Sequence, residues 1–389
     1  MVVLMAAGAP MLSPRIAVVV TFDAWPLHSL GCYGNEWVDT PTWDELAATG
    51  FVFDRHVANH VTSAEDAPAA ISGGWLKTLR QQGIRVVHLH EPDARSLPDL
   101  PVEIETVMIS EGHNPPRSPQ DLPFSHLVSA AREFLKGPTT TPTVLWLHSA
   151  GISDDSVPPE EMWEHYVDEF AAEDFDWEHG DPAEIARHPA IRAVSVTMLD
   201  FLLGELWTSL KSRPEPVLLS CSGLAGSPWL PVQRRTPIAA GLDAASQQTP
   251  WVLWEQNLSQ VSPSTRWTPG RSTALVQPSD LGPTIAEWCG GRNTEIAGVW
   301  PHVRGETDQR QAWVVTRTDG PALCIWTELD QVIFPDGVTL NPTDFTGIQR
   351  FWQPEDPWNV FDTAATEGAR IREVMLLVHS QIAPASADV

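Results

Sequence analysis

The run Ile16-Ala17-Val18-Val19-Val20-Thr21-Phe22 constrains this chain more than any other segment. Seven consecutive apolar or β-branched residues without alternation mark a strand covered on both faces, and such strands belong to parallel sheets packed under helices. Asp23 ends the run, and a loop with Pro26, Gly31 and Gly34 follows. Residues 40–48 carry the marks of a helix, with Thr40 as its cap, Pro41 in the first turn and Gly50 as its stop. Residues 51–53 begin a second strand, 76–82 a second helix closed by Gly83, and 84–89 a third strand. The order β, α, β, α, β predicts an α/β layer structure with a mostly parallel sheet.

The alternation continues. Residues 127–135, 191–210 and 280–289 read as helices, and 142–147, 216–220 and 250–254 as strands, the first of these ending at His148. From about residue 300 the texture changes to short strands at 312–317, 322–327 and 331–334, then a helix at 367–378. This predicts a core domain over 15–295 and a C-terminal subdomain over 296–389, built from an antiparallel sheet and a helix. Residues 158–181, rich in Asp, Glu and aromatics, read as a surface insertion.

Charge narrows the function. The 389 residues hold 50 acidic and 24 basic side chains, a net charge of −26. The only lysines are Lys77, Lys136 and Lys211. Such a surface repels nucleic acid and anionic membranes, so neither is an expected partner. A small anionic ligand would need a local positive focus, and a protein partner or self-association is left open. Cys32, Cys221, Cys289 and Cys324 show neither metal-site nor disulfide spacing and are expected as free thiols. The apolar N-terminus lacks a basic segment and its run is too short to span a bilayer, so it reads as a strand, with the cytoplasm as the expected location.

Two motifs carry a resemblance. Ser29-Leu30-Gly31-Cys32-Tyr33-Gly34-Asn35 and the segment from Thr40 to Gly50 resemble, in order and spacing, the opening of the sulfatase family, where a strand ends in a metal-binding Asp. Fainter similarity continues in PTVLWLH, QTPWVLWEQ, the segment from Val276 to Gly290 and Glu355-Asp356-Pro357-Trp358-Asn359, so it spans nearly the whole chain. The resemblance implies the alkaline-phosphatase-like sandwich: a large, mostly parallel sheet between helices with a small C-terminal antiparallel subdomain.

The resemblance also implies a site of three parts: acidic ligands for a divalent cation, a formylglycine nucleophile made from Cys or Ser, and Lys and His groups around the sulfate. Asp23 takes the place of the first metal ligand, but Ala24 stands for the second acid and Ser222 or Cys221 for the later one. Ser63 falls at the nucleophile, with Thr62 beside it. In Ser63-Ala64-Glu65-Asp66-Ala67 the Pro and Arg of the maturation signal are replaced by Glu65 and Ala67. The Lys position holds Glu91 and a following His position Asp93; His148 matches a strand-end His, while Ser153 stands for the second, with Asp154 and Asp155 nearby. His88 and His90 share one strand face and could hold a metal, or form a satisfied polar pair. Arg234 and Arg235 could form an anion patch, or a solvated pair. With Asp23 as the lone retained acid, the expected cofactor is none or a weakly held calcium.

These substitutions favour a sulfatase-like protein without catalysis, serving binding or structure. The alternative is a sulfuric or phosphoric ester hydrolase using Ser63 or Thr62, a metal on Asp23 and His148 as acid. A third reading is a structural subunit paired with an active homologue.

Overall fold

The computed structural model describes residues 13–60, 74–94, 105–108, 117–152, 158–159, 161–163, 166, 188–229, 237–239, 241–256, 268–290, 298–307, 311–318, 320–336 and 345–382. The first half comprises β1 (Ile16–Ala24), α1 (Pro41–Thr49), β2 (Phe51–His56), α2 (Gly74–Gln81), β3 (Arg85–His90), β4 (Glu105–Met108), α3 (Pro123–Lys136) and β5 (Thr143–Gly151). Next come α4 (Pro189–Lys211), β6 (Val217–Gly223), β7 (Trp251–Gln256), β8 (Gly270–Val276) and α5 (Leu281–Trp288). The chain closes with β9 (Trp313–Arg317), β10 (Leu323–Thr327), β11 (Asp330–Phe334), β12 (Gln349–Trp352) and α6 (Gly368–Ile382). The predicted α/β sandwich is the observed architecture.

The large sheet has the order β4-β3-β5-β1-β6-β7-β2-β8, and only β7 runs against the rest. β1 lies at its middle, parallel to β5 and β6. Val18, Val20 and Phe22 pack on one face with α1, α3 and α4; Ala17 and Val19 pack on the other with α2, α5 and Val299, Trp300 and Val303. This two-sided burial is why β1 reads as an unbroken apolar run. It also explains α4, which alone among the described helices is long and apolar enough to cross a membrane, yet has most of its residues buried in this core.

β4, β8 and β12 carry no such signature. β4 is a sheet edge with Val107 and Met108 exposed, the first half of β8 is polar and half exposed, and β12 buries Gln349 and Arg350. Composition cannot mark strands whose side chains face water or polar partners.

The start of α1 differs from expectation. Thr40 stands at the N-cap but its hydroxyl accepts from Gly31 N at 2.9 Å. Thr42 N and Trp43 N donate instead to the Asp200 carboxylate of α4, at 3.0 and 2.9 Å. A carboxylate reaching in from a neighbouring helix meets the orphan amides and the positive end of the helix dipole together.

The second sheet is an antiparallel meander, β12-β11-β10-β9. Cys324 and Trp326 face the main body with Val57, Leu242 and Leu275, whereas Leu323 and Ile325 face α6 through Ile371, Val374 and Met375. Alternate residues therefore tie this sheet to two different layers. Asp330, fully buried, ion-pairs with Arg350 at 2.5 Å and Arg370 at 2.8 Å, joining β11, β12 and α6.

Candidate functional site

The candidate site lies at the C-terminal ends of β1, β3, β5 and β6, where open α/β sheets place their ligands. On the α2 and α5 face, apolar residues at the strand starts give way to polar ones at the ends. β1 runs Ala17, Val19, Thr21, Asp23; β3 runs Val86, His88, His90; β5 runs Val144, Trp146, His148; and β6 runs Leu218, Ser220, Ser222. Pairing places Thr21 beside both His148 and Ser222, and His90 beside His148. Register thus gathers one polar row from four separate strands.

Within that row the hydrogen bonds run in sequence. Trp146 Nε1 donates to Thr21 Oγ1 at 2.7 Å, and Thr21 Oγ1 lies 2.9 Å from His148 Nδ1. His148 Nε2 is 3.3 Å from Asp23 Oδ1, off the line of a good hydrogen bond, so the contact is chiefly electrostatic. Trp146 can only donate, so it fills an acceptor site on Thr21, whose hydroxyl also lies 3.5 Å from Leu147 O. His148 is 0% exposed and Asp23 6%.

Glu91 follows β3 and is 3% exposed. Its Oε2 accepts from Ala150 N at 2.8 Å, and its own N–H donates to His148 O at 3.2 Å. Oε1 has no partner. Burial pushes the Glu91 carboxyl up to about 7, against the lowering pull of Ser149, Ala150 and His148. His88 stacks on His90 at 5.2 Å and lies 6.4 Å from the His148 ring; neither of its nitrogens has a partner. Burial, with the neighbouring imidazoles, brings His88 down to about 3, so it is neutral at physiological pH.

The structure therefore gathers Asp23, His148, His88, His90 and Glu91 into one cluster, and the shared face expected of His88 and His90 is observed. Ser222 stands beside β1, but its hydroxyl donates to Gly223 O at 2.9 Å, and Ala24 offers no side-chain donor atom. Asp93 is exposed. Thr62, Ser63, Glu65, Asp66 and Ala67 lie outside the described residues, as do Ser153, Asp154, Asp155, Arg234, Arg235 and most of 158–181. Thr21 and Trp146, which hold His148, were missed in the sequence. Their signal is parity: each precedes Asp23 or His148 by two residues on the same strand face.

The donor set can be judged against calcium, which takes six to eight hard oxygens. The Asp23 carboxylate faces an imidazole, and neither Ala24 nor Ser222 near it carries a carboxylate. Among the described residues no three His, Cys, Asp or Glu side chains are grouped to hold a metal ion. These residues do not fit a calcium centre.

No family model matches this sequence, and no curated protein sequence matches it. Solved structures do. BT4656, solved in complex with its substrate D-glucosamine-2-N,6-O-disulfate, superposes with a TM-score of 0.70 at 13% identity, covering 95% of this chain and 97% of that one. A putative sulfatase from Bacteroides thetaiotaomicron gives 0.67 at 14% identity, covering 95% and 92%. The phosphonate monoester hydrolase of Agrobacterium radiobacter gives 0.64 at 15% identity, covering 95% and 96%. Over 95% of this chain, the fold is that of sulfatases and of an alkaline-phosphatase-like phosphonate monoester hydrolase.

Proposed function

We propose that this protein does not hydrolyse sulfate or phosphate esters, and that its sulfatase-like fold serves binding. The observation that carries this reading is the state of Asp23: its carboxylate lies 3.3 Å from His148 Nε2, and neither the next residue, Ala24, nor Ser222 on the neighbouring strand supplies a further acid. Phosphoryl and sulfuryl transfer need charge stabilisation at the oxygens of the transferred group, from a metal or from fixed cations. Here the position matching the family's lysine is Glu91, and among the described residues no Lys or Arg bonds to Glu91, His88 or His148. A carboxylate there opposes an anionic ester.

His148 offers no route around this. Nδ1 lies against Thr21 and Nε2 faces Asp23 without a hydrogen bond, and the ring is buried. A general acid must reach the leaving oxygen directly or through one water. The reading is tested by incubating the purified protein with aryl and sugar sulfates and phosphates, in calcium and then in manganese, and measuring the free anion. The expected result is release indistinguishable from a Ser63→Ala, Thr62→Ala double variant. Turnover that this double variant abolishes would establish the hydrolase instead.

A further inference from the structure

The binding reading leaves open what the cluster binds, and its inventory of donors and acceptors is informative. Glu91 Oε1 is buried without a partner, and both nitrogens of buried His88 are without partners. Buried polar groups are otherwise paired, because leaving one unmade costs the desolvation of that group. Neutral His88 offers one acceptor nitrogen and one N–H. Glu91 offers an acceptor, and Asp23, close enough to act on it electrostatically, carries another carboxylate. Acceptors and negative charge are in excess.

We infer that the C-terminal edge of β1, β3 and β5 receives a protonated amine, held by Glu91 with Asp23 and His148 near it, in place of an anionic ester. This rests on the non-hydrolytic reading of the same site. An ammonium group supplies three donors and one positive charge, and so complements the unpartnered acceptor of Glu91. A sulfate or phosphate group supplies acceptors only and meets carboxylates. A metal ion meets too few grouped ligands among the described residues.

The test compares three probes on one skeleton: n-propylammonium, n-propanol and n-propyl sulfate. Each is titrated at about pH 8, where both the amine and the Glu91 carboxylate are charged, into isotopically labelled protein while the histidine ring resonances are followed. The expected result is that n-propylammonium moves the His88 and His148 signals with an affinity about tenfold above either other probe, the worth of one charge-assisted hydrogen bond. Glu91→Gln should abolish that preference. The three-probe comparison on the unaltered protein stands even if the variant fails to fold.

Three results would overturn the inference. n-Propyl sulfate could bind more tightly. The amine response could persist unchanged in Glu91→Gln, meaning general attraction to a chain of charge −26. Or no probe could move the rings, meaning that water alone fills the site. Free sulfate is measured in the n-propyl sulfate sample. Its release would overturn the non-hydrolytic reading, whereas no release together with no amine preference would overturn only the present inference.

Discussion

At the scale of single residues, the site is governed by what each buried polar atom meets. Thr21 receives Trp146 and holds His148, so Thr21→Val removes both bonds and strands two buried polar groups. The expected loss is about 2–4 kcal/mol, read as a lower urea midpoint. Trp146→Phe removes one bond only and should cost about half as much. Glu91 makes a prediction in pH. Its folded-state value of about 7 lies above the unbound carboxyl value of 4.5, so the folded chain binds the proton more tightly. That contribution is fully present below pH 4.5 and is lost as pH rises through about 7. Glu91→Gln should therefore gain on the unaltered protein across that window, by up to about 3 kcal/mol. A constant difference from pH 4.5 to 7 would contradict the assignment. Asp23 and His148 were legible in the sequence because they sit at strand ends inside recognisable motifs. The Thr21 and Trp146 links were not, because a hydrogen bond between strands depends on register, which a single apolar run does not encode.

At the scale of elements, the strongest sequence signals belong to parts buried on both sides. β1, β3, β5, β6 and β7 were legible because their side chains meet apolar layers, and α4 because most of its residues do. The edges β4 and β8, and β12 with its buried Arg350, were not. The cap of α1 is similar: Thr40 has the right chemistry at the right position, yet Asp200, remote in sequence, reaches the amides. Asp200→Ala should destabilise the fold by about 1–2 kcal/mol and loosen α1, seen as faster amide exchange at Thr42 and Trp43. Thr40→Val should leave those two amides protected. Gly223 ends β6 where a Cβ would overlap Thr249 Oγ1. Gly223→Ala is expected to cost about 1–3 kcal/mol through overpacking.

At the scale of the whole molecule, two sheets are held together by apolar packing and by one buried charge cluster. Asp330 neutralises Arg350 and Arg370, and Arg55 of β2 reaches across to the Thr327 and Glu328 carbonyls. Asp330→Ala leaves Arg350 buried without its counter-charge, while part-exposed Arg370 keeps Glu373, and the expected cost is about 3–5 kcal/mol, measured by chemical denaturation. The sandwich architecture was legible because apolar runs punctuated by glycines and prolines set it. The chemistry is an expectation from the resemblance alone, which implies that Ala24, Ser222 and Glu91 stand where the family has metal-binding or cationic groups. Calcium calorimetry, on the unaltered protein and on Asp23→Ala, tests the central claim most directly. An Asp23 carboxylate facing His148, with too few grouped oxygens among the described residues, predicts no saturable binding at millimolar calcium, and identical traces for both proteins. Micromolar binding that Asp23→Ala abolishes would contradict it and return the site to metal-assisted hydrolysis.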